Sequence, residues 1–391
     1  MTQPHNHQRL RFQIIAAVFA RIVLNTAHRM VYPFLPTFSR GLNVPIESLT
    51  AILSLRGGLG IIAPLFGSIS DRRGRRHAML IGLGVFSVSW LLVGLFPSYL
   101  TLVAAILITT IAKFIFDPAW QAHLSDRTLY SQRGLVIALT ELGWSGSVLV
   151  GVPLVGLILD GYWWHSAFTP IALAGFIAGL GMWLIIPNDK GMAHKNIFSD
   201  GGWRAIVKNP SVLGALSIGF LISFGNENLN SVYGIWMEDT FKVSVVQLGL
   251  STVVIAASEL IGEGLVAGFV DRLGKKKSIA IGLALSGIAN ILLPFATSNI
   301  ALALAAVFLV YITFEFTIVS SMPLVSGLLP KSRGLMMSFN VASHSAGRMF
   351  GALFGAALLR YGFIWNGALS TALNMIGIMI VVWVVKENLE G

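Results

Sequence analysis

The chain has 391 residues, of which 55% are hydrophobic and only 11% are charged, and its formal net charge is +10. Soluble domains carry about 25% charged residues, so this composition excludes a water-soluble globular protein. Cysteine is absent, which excludes a disulfide framework and a thiolate metal site. The apolar residues come in runs of roughly 20, the length with which a helix crosses about 30 Å of hydrocarbon. The sequence therefore predicts a multi-span membrane protein.

Twelve membrane-spanning helices are predicted. In chain order they lie near residues 12–38, 46–69, 77–97, 99–124, 134–159, 163–186, 211–237, 246–269, 278–297, 299–328, 334–359 and 362–385. One long polar stretch, between Pro187 and Pro210, follows the sixth span. We therefore predict an all-α membrane protein with a six-helix bundle at 1–186, a cytoplasmic linker at 187–210 and a second six-helix bundle at 211–391.

The basic residues predict the orientation of the chain. If the N-terminus is cytoplasmic and the loops alternate, nineteen Lys and Arg residues fall in cytoplasmic segments and three in external loops. The positive-inside rule explains this bias better than nucleic-acid binding does. Both termini are therefore expected in the cytoplasm. No cleavable signal peptide is expected, because the first apolar run contains Arg21 and has no small-residue cleavage pattern.

An internal repeat has a register of about 200 residues. The loop after the second span reads GSISDRRGRR and the loop after the eighth reads GFVDRLGKKK. The repeat pairs Asp71 with Asp271, Gly74 with Gly274, Arg133 with Arg333 and Gly151 with Gly351, and at an offset of 201 Asn25 with Asn226 and Tyr32 with Tyr233. Parallel repeats of six helices are typical of transporters whose substrate site lies at the interface between the halves.

The loop Gly67-x-Ile-Ser-Asp71-Arg-x-Gly74-Arg-Arg76 resembles the signature loop of the major facilitator superfamily. Its second copy, the twelve spans and the central linker agree with the resemblance, which covers essentially the whole chain. The resemblance implies a secondary transporter that works by alternating access. No catalytic triad, zinc spacing or phosphate-binding loop is visible, so we expect no enzyme activity, no metal and no cofactor.

The fifth span contains a glycine pattern that has two interpretations. Gly143-x7-Gly151-x-Pro153-x-x-Gly156 resembles a loosened form of the motif of proton-driven drug exporters in the superfamily. In the usual form the Gly and Pro are adjacent, whereas Val152 separates them here. The alternative is a glycine-rich face on which another helix packs.

The resemblance also implies a cytoplasmic latch that holds the inner side of the transporter shut. Asp71 would face the start of the eleventh helix near Arg333, and Arg75 or Arg76 would reach Asp126. The residues assigned to the latch are Asp71, Gly74, Arg75, Arg76, Asp126, Arg133, Asp271, Gly274 and Arg333. Ser326 stands at the position that matches Asp126, so the second copy lacks part of the latch.

Apart from Glu47 at the very start of the second span, eleven Asp, Glu, Lys and Arg residues lie inside the predicted spans, where each costs about 2.5–3.5 kcal/mol near the bilayer centre. None lies in the third, sixth, ninth or twelfth span, which in the superfamily's layout support the bundle from outside. Among these eleven, the first half has four cations and two anions, and the second has one cation and four anions. We therefore expect substrate binding and ion coupling to divide between the halves.

The candidate site residues follow from this distribution. Polar residues of the first span recur every four residues on one helix face, and the seventh span repeats the pattern. The residues predicted to bind substrate are Arg21, Asn25, Arg29, Tyr32, Arg56, Lys113, Asn226, Asn230 and Tyr311. Those predicted to carry protons are the carboxylates Glu315, Glu227, Glu259, Glu263 and Asp117. The alternative is that these charges only pair with one another, as Lys113 and Asp117 could within one helix.

We therefore expect a monomeric secondary active transporter in the bacterial cytoplasmic (inner) membrane, with protons, a small-molecule substrate and the lipid bilayer as partners and no nucleic acid. The predicted function is proton-coupled export of a small amphipathic or anionic organic molecule. The alternatives are proton-coupled uptake of an organic anion and a lipid-linked flippase.

Overall fold

The computed structural model describes residues 4–62, 74–127, 142–188, 208–329 and 333–386, and these residues contain helices and no strand. The helices are α1 (Pro4–Arg29), α2 (Leu35–Leu42), α3 (Ile46–Leu59), α4 (Arg75–Leu95), α5 (Tyr99–Arg127), α6 (Val152–Asp160), α7 (Phe168–Ile185), α8 (Pro210–Asn230), α9 (Tyr233–Phe241), α10 (Val245–Leu273), α11 (Lys275–Leu292), α12 (Ile300–Leu328), α13 (Arg333–Leu359) and α14 (Phe363–Trp383). A π-helical turn at Ser147–Gly151 leads into α6. The all-helical class predicted from the sequence is thus confirmed.

Ten helices in the described part of the chain are long and apolar enough to cross a membrane. The two further predicted spans are those of α3 and α13. α13 has 27 residues, about 40 Å at 1.5 Å per residue, which is long enough to cross. α3 ends at Leu59 and is followed by a short 3-10 turn, and residues 63–73 lie outside the described ranges. Together the helices account for twelve spans.

The first predicted span of each half is broken rather than continuous. α1 ends at Arg29 and the chain becomes helical again as α2 at Leu35, while α8 ends at Asn230 and α9 begins at Tyr233. In the first break, Pro33 has no N–H to donate to a preceding carbonyl, which favours interruption of the helix. Each break falls at the end of a row of polar residues on one helix face, which we call the polar stripe. It consists of Arg21, Asn25, Arg29 and Tyr32 in the first span and of Asn226, Asn230 and Tyr233 in the seventh. Tyr32 lies in the first break and Tyr233 follows the second.

The chain forms two compact units that exchange a short segment. Unit 1 comprises Met1–Asn43, Ala63–His194 and Ser244–Val253. Unit 2 comprises Val44–Ile62, Lys195–Val243 and Val254–Gly391. The exchanged segments begin at positions 44 and 244, which are equivalent in the 200-residue repeat. The predicted linker lies largely at residues 189–207, outside the described ranges, and the division into two six-helix halves stays a prediction.

A hydroxyl group helps to hold each exchanged segment in its unit. In unit 2, the Ser54 hydroxyl of α3 donates a 2.8 Å hydrogen bond to the Met349 carbonyl of α13. In unit 1, the Thr252 hydroxyl of α10 donates a 3.3 Å hydrogen bond to the Val148 carbonyl of the π-helical turn. The two contacts lie at nearly equivalent places in the repeat, so the beginnings of the second and eighth spans are bound in similar ways.

Small residues allow the helices of unit 2 to approach closely. Gly347, Gly351 and Gly355 recur every four residues on α13, and a Cβ atom at any of them would overlap α8. At Gly351, for example, it would lie 2.6 Å from the Cβ atom of Glu227. Close packing of small residues is a main source of attraction between helices in lipid, where no hydrophobic effect drives association.

The two repeated loops contain the same backbone turn. Gly74 precedes α4 with a φ of 85°, and Gly274 precedes α11 with a φ of 84°. Glycine adopts positive φ without the steric cost that a Cβ atom imposes. Both copies of the repeat therefore place a glycine at positive φ directly before a helix.

Candidate functional site

A charged cluster lies inside unit 1, between α1, α5 and the residues before the π-helical turn. Arg21, Asn25 and Arg29 lie on one face of α1 because they are four residues apart. Arg21 is 6% exposed and Asn25 is 0% exposed. A Cβ atom at Gly143 would lie 2.6 Å from the Cβ of Arg21. Glycine at position 143 therefore lets the backbone of the fifth span pass directly over this face.

Asp117 of α5 contacts two cations, one at each carboxylate oxygen. Arg21 Nε lies 3.4 Å from Asp117 Oδ1, and Lys113 Nζ lies 3.3 Å from Asp117 Oδ2. The contact to Lys113 is the pairing within one helix that the spacing predicts. The contact to Arg21 joins α1 to α5, so the carboxylate connects two helices rather than one.

Asn25 positions the ammonium group of Lys113. Its side-chain oxygen accepts a hydrogen bond from Lys113 Nζ, and its Nδ2 donates a 3.1 Å hydrogen bond to the Gly143 carbonyl. One buried amide thus connects three segments of the unit. The Lys113 ammonium is held between the Asn25 amide and the Asp117 carboxylate.

Trp144 brings an aromatic face to the same cluster. The guanidinium carbon of Arg29 lies 4.4 Å from the centre of the Trp144 ring, and Lys113 Nζ lies 5.7 Å from it. Both distances are within the range of a cation–π interaction. Among the described side chains, three cations therefore surround one carboxylate and one indole. This arrangement can bind an anionic group beside a flat apolar surface.

Two predicted substrate-binding residues meet inside unit 2. The Tyr311 hydroxyl of α12 donates a 2.7 Å hydrogen bond to Asn230 Oδ1 at the end of α8. Asn230 matches Arg29 in the repeat, so the second half has an uncharged polar contact where the first half has a cation. Of the other candidates, Tyr32 lies in the break after α1, and Arg56 is buried on α3 in unit 2 rather than with the cations of unit 1.

Asn226 lines a small polar cavity between α8, α11, α12 and α14. Ser286, Asn290, Thr317 and Asn374 complete its polar lining. Asn290 Oδ1 is buried in this cavity and has no hydrogen-bond partner in the described part of the chain. α11 and α14 carry no intramembrane charge, as predicted, yet both bury polar side chains. In the sequence, the features that pointed to this cavity were Asn290 and Asn374, which lie in otherwise apolar spans.

The predicted proton-carrying residues of unit 2 fall in two places. Glu227 on α8 and Glu259 on α10 are each 4% exposed. A Cβ atom at Gly262 would lie 2.9 Å from the Cβ of Glu315. Glu315 therefore packs against α10 at Gly262, which comes three residues after Glu259 and directly before Glu263. These carboxylates belong to unit 2, whereas Asp117 belongs to unit 1.

The latch residues are described only in part. Asp71 and Arg133 lie outside the described residues, as do the side chains of Asp126, Asp271 and Arg333. Arg76 donates a 2.6 Å hydrogen bond to the Trp183 carbonyl at the end of α7. The reach of Arg75 or Arg76 to Asp126 stays a prediction.

The residue equivalent to Arg76 in the second half makes the same kind of contact. Lys276 Nζ donates hydrogen bonds to the Val382 carbonyl at 3.0 Å and to the Val385 carbonyl at 2.8 Å. Carbonyl groups at a helix end lack partners in their own helix, and a basic side chain satisfies them. Arg76 and Lys276 thus cap α7 and α14, a structural role that the sequence pattern had not indicated.

The glycines of the fifth span act as a packing face. Gly143 lies over Arg21 and Gly151 lies over Thr26 of α1. A Cβ atom at Gly156 would lie 3.4 Å from the Cα atom of Gly249 in α10. The packing interpretation of this pattern therefore has direct support from contacts, and the contacts do not require the exporter interpretation.

Trp144 was not assigned to substrate binding, although the sequence places it near the same depth as other aromatic residues of the fourth, fifth and tenth spans, where one or two could form an aromatic wall for the substrate. Its ring contacts Arg29 and Lys113, which were assigned to the site.

The chain is similar to known membrane transporters over its whole length. The sequence model described as Major Facilitator Superfamily matches it twice, at residues 17–225 and 215–390. An uncharacterized MFS-type transporter of Bacillus subtilis, YwfA, is 25% identical over 99% of this chain and 94% of that protein. The class G tetracycline resistance protein of Vibrio anguillarum is 26% identical over 83% of this chain and 81% of that protein.

The fold has a solved counterpart as well. The crystal structure of a bacterial homolog of the human lysosomal transporter Spinster, in an inward-facing and occupied conformation, matches with a TM-score of 0.77. That match covers 100% of this chain and 99% of the other at 14% identity. Two family matches, twelve spans and the repeated loop give the same answer: the chain belongs to the Major Facilitator Superfamily, and it is a multi-pass membrane transporter rather than an enzyme.

Proposed function

We propose that the protein is a proton-coupled secondary transporter of small organic anions. The observation that supports this proposal is the cluster in unit 1, where Arg21, Arg29 and Lys113 surround Asp117 and Trp144. Charged groups inside a membrane span are costly and mark substrate or ion pathways. Cations beside an indole ring fit a substrate with one negative group and a flat apolar body.

The energy for transport is proposed to come from the proton gradient. Titratable carboxylates lie in both units, with Asp117 in the first and Glu227, Glu259, Glu263 and Glu315 in the second. Carboxylates in transporter spans are typical parts of proton relays. The bacterial inner membrane, cytoplasmic termini and a monomeric state belong to this proposal as they did to the expectation from the sequence.

Export is the second candidate, and the relatives favour it. The similarity to a tetracycline resistance protein extends over most of both chains, and resistance by a membrane transporter is consistent with outward movement of a drug. In that case the substrate would be an amphipathic molecule that leaves the cell in exchange for protons.

A binding experiment tests the anion site. Purified protein is titrated calorimetrically with benzenesulfonate and with benzenesulfonamide, a neutral molecule of nearly the same shape. The anion should bind and the neutral analogue should bind at least tenfold more weakly, since hydrogen bonds to a charged group contribute about 1.5–3 kcal/mol. Arg21→Ala and Lys113→Ala should remove this preference.

Arg11→Ala is the matched control, because Arg11 is an exposed cation on the same helix. It should leave the preference unchanged. Equal affinity for the two molecules in the wild-type protein would contradict an anion site. Transport in proteoliposomes then tests the coupling: a protonophore should abolish accumulation of the anion, and accumulation that persists would exclude proton coupling.

A further inference from the structure

The carboxylate of Asp117 is bound as a substrate carboxylate would be. Each of its oxygens faces one cation, Arg21 at 3.4 Å and Lys113 at 3.3 Å. Two cations at these distances attract an anionic group by charge. Asn25 holds the Lys113 ammonium in place from the other side. The chain's own carboxylate thus fills a site whose geometry suits an external anion.

Asp117 is the most exposed of the three residues that form the two ion pairs. Its side chain is 26% exposed, compared with 12% for Lys113 and 6% for Arg21. Asp117 Oδ1 makes no hydrogen bond to the described residues, so charge attraction rather than a hydrogen bond holds this oxygen beside Arg21. A proton bound to the carboxylate would weaken its hold on both cations.

We propose that Asp117 occupies, on Arg21 and Lys113, the place of the negative group of the transported anion, so that the anion binds together with one proton on Asp117. The inference rests on the proposed function, because it assumes that the cluster binds an anion. The proton comes from solvent and forms one O–H bond on the Asp117 carboxyl. No covalent bond is broken, and the negative charge that faces the two cations is then carried by the substrate.

The physical reason is repulsion between like charges. Two carboxylates that share one site cannot both stay ionised at little cost, and one of them takes up a proton. The anion and the proton therefore favour each other's binding at this cluster. A cationic substrate would have the opposite effect, because it would compete with the proton for Asp117.

Proton uptake by Asp117 has to be distinguished from proton uptake by other charged groups around it. Arg21 and Arg29 face the cluster from α1 and Lys113 faces it from α5. His123, further along α5, pairs with Gln13 at 3.1 Å. Glu141 precedes Gly143 by two residues and lies outside the described residues, so it needs a variant of its own.

This linkage has a consequence for the direction of transport. If the anion binds with a proton, both move in the same direction through the alternating-access cycle. A proton gradient directed into the cell would then drive uptake of the anion. The cluster in unit 1 thus favours co-transport over the exchange that an exporter would use.

The decisive experiment measures the protons taken up when the anion binds. Benzenesulfonate is a suitable probe because it stays ionised over the whole working range of pH. Calorimetric titration in two buffers with different ionisation enthalpies gives the number of protons bound per anion. We expect about one proton per bound anion for the wild-type protein, with an affinity that falls up to about tenfold for each unit of pH increase.

The variant Asp117→Asn mimics the protonated carboxyl and should take up no proton. Its affinity should equal or exceed that of the wild-type protein and should not depend on pH. Asp160→Asn, which changes an exposed acid at the end of α6, is the matched control and should behave as wild type. Infrared difference spectra provide a readout without mutation: anion binding should produce the C=O band of a protonated carboxylic acid, and this band should be missing in Asp117→Asn.

The possible failures are distinguishable. If the wild-type protein binds the anion without taking up a proton, the linkage is wrong, whereas the anion site is still supported. Loss of proton uptake in Glu141→Gln but not in Asp117→Asn would overturn the assignment to Asp117. Wild-type protein that binds no anion would instead remove the proposed function itself.

Discussion

Arg360, just beyond α13, forms a two-point ion pair with Glu47 in the first turn of α3. Its Nε lies 3.2 Å and its Nη2 3.0 Å from Glu47 Oε1. The equivalent positions in the repeat, 247 and 160, hold Gln and Asp. Gln247 instead accepts a 2.8 Å hydrogen bond from the Ser244 N–H. The two halves therefore share the helix packing at this place but differ in its charges.

This ion pair should contribute little to stability. The two side chains are 64% and 45% exposed, and exposed ion pairs contribute about 0–1 kcal/mol. Glu47→Gln should lower the melting temperature in detergent only slightly, and the charge-swapped double variant Glu47→Arg with Arg360→Glu should restore it. Gln247→Ala is the control at the equivalent position. A loss well above 1 kcal/mol would mean that the pair does more than join two surface groups.

The buried amide of Asn25 should matter for both stability and binding. Asn25→Ala leaves the Gly143 carbonyl without its hydrogen-bond donor, and a buried unsatisfied polar group costs about 1–3 kcal/mol. The Lys113 ammonium also loses the oxygen that positions it, so the affinity for benzenesulfonate should fall. Thermal unfolding and calorimetry measure the two effects. Unchanged binding in a folded Asn25→Ala protein would show that Lys113 does not need this support.

Trp144 should select for aromatic anions. Trp144→Ala removes the ring that lies 4.4 Å from the Arg29 guanidinium, whereas Trp144→Phe retains an aromatic face. Cation–π contacts contribute about 0.5–2 kcal/mol, so affinity for benzenesulfonate should fall several-fold in the Ala variant and less in the Phe variant. Methanesulfonate, which has no ring, should bind both variants alike. An equal loss for both anions would point to a general effect on the fold.

Gly351 should tolerate no side chain. A Cβ atom there would lie 2.6 Å from the Glu227 Cβ and 2.7 Å from the Phe224 carbonyl, so Gly351→Ala must push α13 away from α8. We expect a loss above about 1 kcal/mol, as for overpacked cores. Gly181→Ala is the matched control, because a Cβ atom at Gly181 meets no atom within 4 Å. That control should be neutral or slightly stabilising, since Ala favours helix over Gly. Thermal unfolding of both variants decides between these outcomes.

Much of the fold could be predicted because membrane spans obey a local rule. A span must satisfy its own backbone hydrogen bonds in lipid, so the hydropathy of about 20 residues identifies it without knowledge of its neighbours. The repeat was visible for a similar reason. Gly74 and Gly274 adopt nearly the same φ angle, because the same local turn needs the same residue in both copies.

The site could be predicted only in part. The polar stripe of α1 and the spacing of Lys113 and Asp117 follow from helix geometry, and the structure places both in one cluster. The contacts of Trp144 and the capping roles of Arg76 and Lys276 depend on which helices become neighbours. That choice is made by packing at Gly143 and at other close approaches between helices, which a single sequence does not display.

The sequence by itself determined that this chain spans a bilayer, that it is duplicated, and that Lys113 and Asp117 lie one helical turn apart. These properties depend on hydropathy and on the 3.6-residue period, which act over short distances along the chain. Only the tertiary structure decided that Arg21, 96 positions away from Asp117, contacts its other carboxylate oxygen. The physical reason is that α1 packs on α5, so that a pair within one helix becomes a cluster that joins two helices.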